Sequence, residues 1–471
     1  MKYFYEISRI PRESCREKEI SEYLIKFAED RNLFYYADDY CNVFIKKTCS
    51  PGYENVPSIL LQSHTDMVCE KNKNVIRDFH TEGIKIIENN GFLSADGTTL
   101  GADNGIGVAF MLSLIGDTSL LHPELEFLFT AQEEIGLIGA EKFDYNLINS
   151  RRMINLDAET EGEVIISSAG GTRSAIKYEY DTIPTPINKI NKTIKIQITG
   201  LTGGHSGIDI YLGRGNANII TGRILNMLYK KYPFNLMSLN GGIKSNAIPR
   251  ECEAVINVVE YDETMAYLKE IKEIIKQELS SDDNAFNVYI NKVTISDIPN
   301  KMMTYKSTSM ILTILILSMN GVHTMCRDNF DLVESSSNLG VITQDETSAL
   351  FVYENRSSVE NILNSISEKY ERLAYITNSE IVHSNKYPGW SYNKNSELVN
   401  KYIKIYRQLY NIDPVIKGIH AGLECGIIKN KIVGMDAISI GPDIKGAHTP
   451  KECLKINSCH KLWEVLIDLI K

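Results

Sequence analysis

The chain has 471 residues, 43% hydrophobic and 23% charged, and its 50 Lys and Arg against 60 Asp and Glu give a formal net charge of −10. That usage is ordinary for globular proteins and unlike a disordered chain, and the length predicts two domains. The acidic balance excludes a basic nucleic-acid footprint over the whole protein.

In chain order, the N-terminal segment lacks the apolar run and small-residue cleavage site of an export signal. The apolar run 58–62 predicts a buried strand, 104–116 a helix, and 125–130 and 153–156 two more buried strands. Such alternation belongs to an α/β domain. Pro184 and Pro186 then mark 181–190 as a linker. Isoleucines at 194, 196 and 198 alternate as in a half-buried antiparallel strand. Helices are expected near 213–231 and 262–279, and a strand pair near 338–355. The most apolar run, 310–319, has 10 residues where about 20 cross a bilayer; it predicts a buried helix and no membrane span. A second boundary is expected at 385–389, and an amphipathic helix from 457 to 471 presents Leu462, Trp463, Leu466, Leu469 and Ile470 on one face. Segments 1–184 and 385–471 thus read as one α/β domain, with 185–384 inserted as an α+β domain. The nine cysteines are scattered without a CxxC pair, which predicts free thiols in a reducing cytoplasm.

Acidic and histidine residues cluster just past the expected strand ends: His64 and Asp66 after the first, Glu133 and Glu134 after the next, Asp157 after the third. Asp103 opens the helix between them. In open α/β sheets ligands bind beyond the carboxyl ends of the strands. Taken singly, His64 reads as a core histidine, Asp103 as a helix cap and the Glu pair as a solvated turn. Taken together, several buried carboxylates require cations. Asp103, Glu134, Asp157 and one hydroxide balance two divalent ions, with His64 and a second histidine as neutral donors. A mixed N/O set suits zinc, cobalt or manganese better than calcium.

The segments His64-Thr-Asp66, Gly101-Ala-Asp103-Asn104, Glu133-Glu134-Ile-Gly136, Asn155-Leu-Asp157 and Gly446-Ala-His448-Thr-Pro450 resemble the metal motifs of the co-catalytic zinc peptidases. That family includes carnosinases, aminoacylases and bacterial carboxypeptidases. Gly203–Asp209, Leu212–Ala217, Ser336–Gly340 and His420–Gly426 are most similar, within it, to the aminoacyl-histidine (Xaa-His) dipeptidases. The resemblance covers nearly the whole chain and is least distinct over 270–335. It implies a catalytic domain with a mixed sheet and flanking helices, plus an inserted lid or dimerisation domain. It further implies that His64 and Asp157 hold one zinc, that Glu134 and His448 hold the other, and that Asp103 bridges them through a cis peptide to Asn104. Asp66 would orient His64. Glu133 would be the general base serving a metal-bridging hydroxide. His205 would supply the oxyanion donor, on its own site or on a partner's. Asn246 and Arg356 would bind substrate, Arg356 at its terminal carboxylate, and Glu424 would accept its ammonium group. The implied protein is a homodimer acting on dipeptides, Xaa-His and β-alanyl-histidine among them, and closing at hinges near 181–190 and 384–389.

Aminoacylase or tripeptidase activity shares this metal core, and an inactive metal-binding scaffold is the non-enzyme alternative. Retention of both Glu133 and Asp66 speaks against the scaffold. Cys69 and Cys425 lie near motif residues without a Cys-His signature, and Gly101-x-x-x-Gly105-x-Gly107 lacks the spacing of a nucleotide loop.

Overall fold

A computed structural model describes residues 1–186, 192–294, 297–327 and 332–471. Positions 187–190 of the expected linker lie outside the described residues. The chain divides into two compact units. One is Met1–Ser168 with Trp390–Gly418 and Leu423–Lys471; the other is Ala169–Gly389 with Ile419–Gly422.

The first unit is built on an eight-stranded sheet. Its order is Phe34–Ala37, Val43–Lys47, Leu125–Thr130, Ile59–His64, Arg152–Asn155, Asp436–Ser439, Glu163–Ser168 and Val415–Ile419. The central strands are parallel: Ile59–His64 pairs in this sense with Leu125–Thr130 and Arg152–Asn155, and Arg152–Asn155 with Asp436–Ser439. They are buried almost throughout because both faces are covered, with apolar residues through their middles. Ile59, Leu61, Phe127, Phe129 and Ile154 enter one core with the helices Lys18–Glu29, Ala102–Gly116, Glu397–Tyr410 and Ile456–Leu469. Leu60, Leu128 and Met153 are equally buried on the opposite face, where Phe44 stands 5.9 Å from Phe143. Glycine lets the helix Ala102–Gly116 come this close to the strands: a Cβ on Gly107 would lie 2.7 Å from Ser63 Oγ and 2.9 Å from the Leu156 carbonyl. A smaller antiparallel sheet carries the hairpin Ile444–Lys445 and Cys453–Lys455 beside Phe92–Ala95 and Ile86–Asn89.

The second unit is an antiparallel sheet with helices packed on it. Its strands run Asn287–Lys292, Thr193–Thr199, Cys252–Val258, Phe234–Gly241, Val333–Gln344, Ser348–Ser357, Gly170–Glu179 and Glu380–Tyr387, with Gly321–Met325 beside Val333–Gln344. Ile194, Ile196 and Ile198 face the core with Ile224, Leu228, Ile271 and Ile275 from the helices Ala217–Lys231 and Tyr261–Glu278. The apolar run near 310 lies in the helix Tyr305–Leu317, which starts earlier than expected because the Thr304 hydroxyl caps it, accepting from the Ser307 N–H at 3.1 Å. The first crossing between units lies upstream of the proline-rich segment, since Gly170–Glu179 pairs on both edges within the second sheet. Residues 169–184, expected in the first domain, therefore belong to the second unit, as do 385–389 and 419–422. Among the described residues no helix is long and apolar enough to cross a membrane.

Candidate active site

The parallel strands deliver their side chains to one edge. His64 is the last residue of its strand and is 1% exposed. Its Nδ1 lies 3.1 Å from the Asp66 carbonyl and 3.5 Å from Asp66 Oδ1, which places the ring proton on Nδ1. The Nε2 then faces Asp103 Oδ1 at 3.1 Å and Asp157 Oδ1 at 3.3 Å. On the other side His448 Nε2 lies 3.0 Å from Asp103 Oδ2 and 2.9 Å from Glu134 Oε1. Asp103 thus offers one oxygen to each imidazole. Glu133 and Glu134 follow the strand Leu125–Thr130, and their backbone N–H groups donate to the Asp66 carboxylate at 3.0 and 3.3 Å. Asp66 also accepts from Ser14 Oγ at 2.8 Å. The peptide between Asp103 and Asn104 is cis.

Three ligand triplets have their donor atoms within 4.8 Å of one another: His64, Asp103 and Asp157; Asp103, Glu134 and His448; and His64, Glu133 and Glu134. The electrostatics fit a cation site. Burial pushes the Glu133 carboxyl well up, and neighbouring carboxylates add to it. Burial likewise pushes Asp157 up to about 6. The hydrogen bonds to Asp103 and Glu134 push His448 up to about 11. Burial disfavours a charged His64, but Asp157, Asp103 and Asp66 together raise it well above the ordinary imidazole value. Without a cation, protonated imidazoles are the positive charges in direct contact with Asp103, Asp157 and Glu134 among the described residues. A divalent ion in the same gaps would meet carboxylate oxygens and imidazole lone pairs, the donor set of transition-metal sites.

Beneath the cluster lies a buried polar network that the sequence did not announce. Glu424 is 0% exposed; its Oε2 accepts from Gln62 Nε2 at 2.5 Å and Thr130 Oγ at 2.7 Å, and Gln62 Oε1 accepts from Asn155 Nδ2 at 2.6 Å. Glu424 therefore presents no face to solvent and ties to the neighbouring strands Ile59–His64 and Leu125–Thr130. Arg12, 2% exposed, donates to the Thr65, Asp66 and Gly101 carbonyls. Glu452, also 2% exposed, accepts from the backbone of residues 100–103.

His205, Asn246 and Arg356 all belong to the second unit. His205 Nδ1 accepts the Gly207 and Ile208 N–H groups at 3.2 and 3.1 Å. Its proton is consequently on Nε2, and burial, followed by the Arg356 charge, holds the ring below the usual imidazole range. Arg356 is 5% exposed and donates from Nη1 to Tyr387 Oη at 2.8 Å. Its Nε is buried without a partner, and among the described residues no carboxylate pairs with it. A Cβ on Gly207 would stand 3.1 Å from both Arg356 Nε and His205 Cε1, so this loop brings the two side chains together. His420, which belongs to the same unit, bonds Ser336 Oγ at 2.7 Å; burial, then Arg356, presses it down to about 3. Asn246 is exposed, and its carbonyl accepts the Ser206 N–H at 2.9 Å, tying its loop to that of His205.

The family model of peptidase family M20/M25/M40 matches residues 60–471. The chain belongs to this peptidase family. As a member of M20/M25/M40 it is a peptide-bond hydrolase, and it is similar along its length to characterised relatives. It is 33% identical over 470 residues, 99% of this chain and 96% of the relative, to the cytosol non-specific dipeptidase of Escherichia coli K12. The crystal structure of aminoacylhistidine dipeptidase from Vibrio alginolyticus superposes with a TM-score of 0.93 at 32% identity, covering 100% of this chain and 95% of that one. The aminopeptidase PepT of Bacillus cereus, at 15% identity and a TM-score of 0.57 over 100% of this chain and 96% of that one, shares the fold.

Proposed function

We propose that this member of the family is a metal-dependent dipeptidase that accepts Xaa-His dipeptides, β-alanyl-histidine included, with tolerance for other residues. The observation that carries this reading is Asp103, one oxygen of which faces His64 and the other His448. Similarity to a cytosol non-specific dipeptidase and an aminoacylhistidine dipeptidase supports it. The same likeness supports a cytoplasmic location.

His64 and Asp157 would hold one divalent cation, Glu134 and His448 a second, and Asp103 both. Zinc is the first choice for this donor set, with cobalt and manganese as alternatives. When bound, such a pair lowers the pKa of a water toward neutrality and polarises the scissile carbonyl. Asp66 fixes the His64 ring so that Nε2 stays available as a donor. Glu133, whose carboxyl is already pushed up, takes the proton from the attacking water and returns it to the leaving amine. His205, neutral and protonated on Nε2, donates to the oxyanion. Arg356, buried with an open Nε and no acid partner, binds the terminal carboxylate of the dipeptide, and Asn246 contacts substrate beside it. The unit holding these three residues serves as lid and as the contact of a homodimer. Aminoacylases and tripeptidases share the metal core, so one panel separates the readings: Xaa-His and other dipeptides, N-acyl amino acids and tripeptides, after chelation and reloading with zinc, cobalt or manganese. Turnover of dipeptides well above the others supports the proposal, whereas turnover confined to N-acyl amino acids or tripeptides refutes it.

A further inference from the structure

Asp103 and His448 come from distant parts of the chain, and something must set their spacing. The segment 446–452 forms the tip of the hairpin Ile444–Lys445 and Cys453–Lys455. It is folded on itself: the Gly446 carbonyl accepts from Thr449 Oγ at 2.7 Å, and the Thr449 carbonyl accepts the Glu452 N–H at 3.0 Å. Moving Glu452 therefore moves His448 with it. Among the described residues, the hydrogen bonds from this tip to 100–104 are that of His448 to Asp103 and those of Glu452. Glu452 Oε2 accepts the N–H groups of Leu100 and Gly101 at 2.7 and 3.0 Å. Its Oε1 accepts those of Ala102 and Asp103 at 2.7 and 3.3 Å. Four successive backbone donors at the opening of a helix thus close on one carboxylate, a strong arrangement for a buried anion.

The same turn is gripped from its other side. Arg12 Nη2 donates to the Gly101 carbonyl at 2.5 Å, while Nη1 donates to the Thr65 and Asp66 carbonyls at 2.9 and 3.3 Å. Gly101 sits between the two with φ of +68°, and a Cβ there would collide with Arg12 and with Met67 Sδ at 2.6 Å. The hairpin strands alone fix only the base of the tip, at 445 and 453. The carboxylate of Glu452, the residue just before Cys453, fixes the returning arm of the tip to the Asp103 turn, and Arg12 fixes that turn to the loop after His64.

We infer that Glu452 is a positioning residue of the metal centre, holding Asp103 and His448 at the separation a shared cation needs, with Arg12 locking the same turn to the His64 loop. This rests on the two-cation reading above. The test is a zinc titration of chelator-stripped wild-type protein and Glu452→Gln against a competing chromophoric chelator, with bound metal counted and the Tm of both metal-free forms recorded. The weaker zinc site is expected to lose about 10–100-fold in affinity, as when groups supporting metal ligands are removed. Bound zinc then falls from two toward one at a level that saturates wild type, and Glu452→Asp, which keeps the charge, recovers part of the loss. A lower metal-free Tm with both zinc affinities within about threefold of wild type, below the span such supporting groups command, overturns the proposal, because a purely structural tie would behave so. If Glu452→Gln does not fold, Arg12→Lys is read by the same titration with the same two outcomes. Wild-type protein that binds no zinc overturns the metal-centre reading and the proposal together, and is seen before any substitution.

Discussion

Replacing Glu424 with Gln should stabilise the metal-free protein at alkaline pH and not at acid pH. The carboxyl is fully buried, and burial first, then the Asp157 and Asp66 carboxylates, push it up to about 7 from an ordinary 4.5. Between these values the folded protein holds a proton that the unfolded chain has released. Stability therefore falls as pH rises from about 4.5 to about 7, and the full penalty persists above 7. A difference of about 2.5 pKa units at about 1.4 kcal/mol each sets the full penalty at about 3.5 kcal/mol, of which about 3 kcal/mol develops between pH 4.5 and pH 8. Gln removes the titration and keeps the shape. Its carbonyl takes the place of Oε2, which accepts from Gln62 and Thr130, and its amide takes that of Oε1, which is buried without a partner. With metal chelated, the Tm of Glu424→Gln relative to wild type should rise by roughly 6–12 °C between pH 4.5 and pH 8, at about 2–4 °C per kcal/mol for a unit of this size. An offset that is the same at both pH values would show that Glu424 is not held protonated in the fold.

Glu133→Gln should bind both cations and lose about 10²–10⁴-fold in kcat; equal turnover of variant and wild type at saturating metal removes Glu133 from proton transfer. Asp66→Asn should weaken zinc binding about 10–100-fold, since an amide cannot satisfy the His64 Nδ1–H and the Glu133 and Glu134 N–H groups together; an unchanged zinc affinity in competition titrations counts against that role. Gly101→Ala, forced to a φ of +68° against Arg12, should lower stability by more than about 1 kcal/mol by chemical denaturation, and wild-type stability would show that the turn relaxes. Mixing inactive His205→Ala and Glu133→Ala proteins should restore activity if His205 serves the partner of a homodimer; proven heterodimers without activity would assign His205 to its own chain.

The convergence of His64, Asp103, Glu134, Asp157 and His448 was legible because four of the five follow an apolar strand or open a helix, and the parallel register carries them to one edge. His64 stands opposite Thr130 in that register, so the neighbouring strand ends beside it. The helices near 217, 261 and 456 were legible from the sequence pattern, and the one at Tyr305–Leu317 from its apolar run, though not its start. Arg12 and Glu452 were not, because each acts on backbone groups about 50–350 positions away, and backbone leaves no mark in a pattern of side chains. The burial of Glu424 was not legible either, because its partners Gln62 and Thr130 lie 362 and 294 positions away on two strands. The strand Gly170–Glu179 was missed because Gly170 and Gly171 open it, while the prolines downstream gave a stronger break.

The first unit is assembled from three stretches of chain, with the bulk of the second unit, 169–389, spliced after the first of them. His64, Asp103, Glu134 and Asp157 are all made before the inserted sheet; His448 is made after it. About 290 residues separate Asp157 from His448, roughly a quarter of a minute to a minute of synthesis at about 5–20 residues per second. Throughout that interval the nascent chain carries a crowded set of acids without the last imidazole or the Glu452 carboxylate that holds the Asp103 turn. On the proposed ligand set, the centre is completed only when His448 emerges, long after its other four ligands have been made.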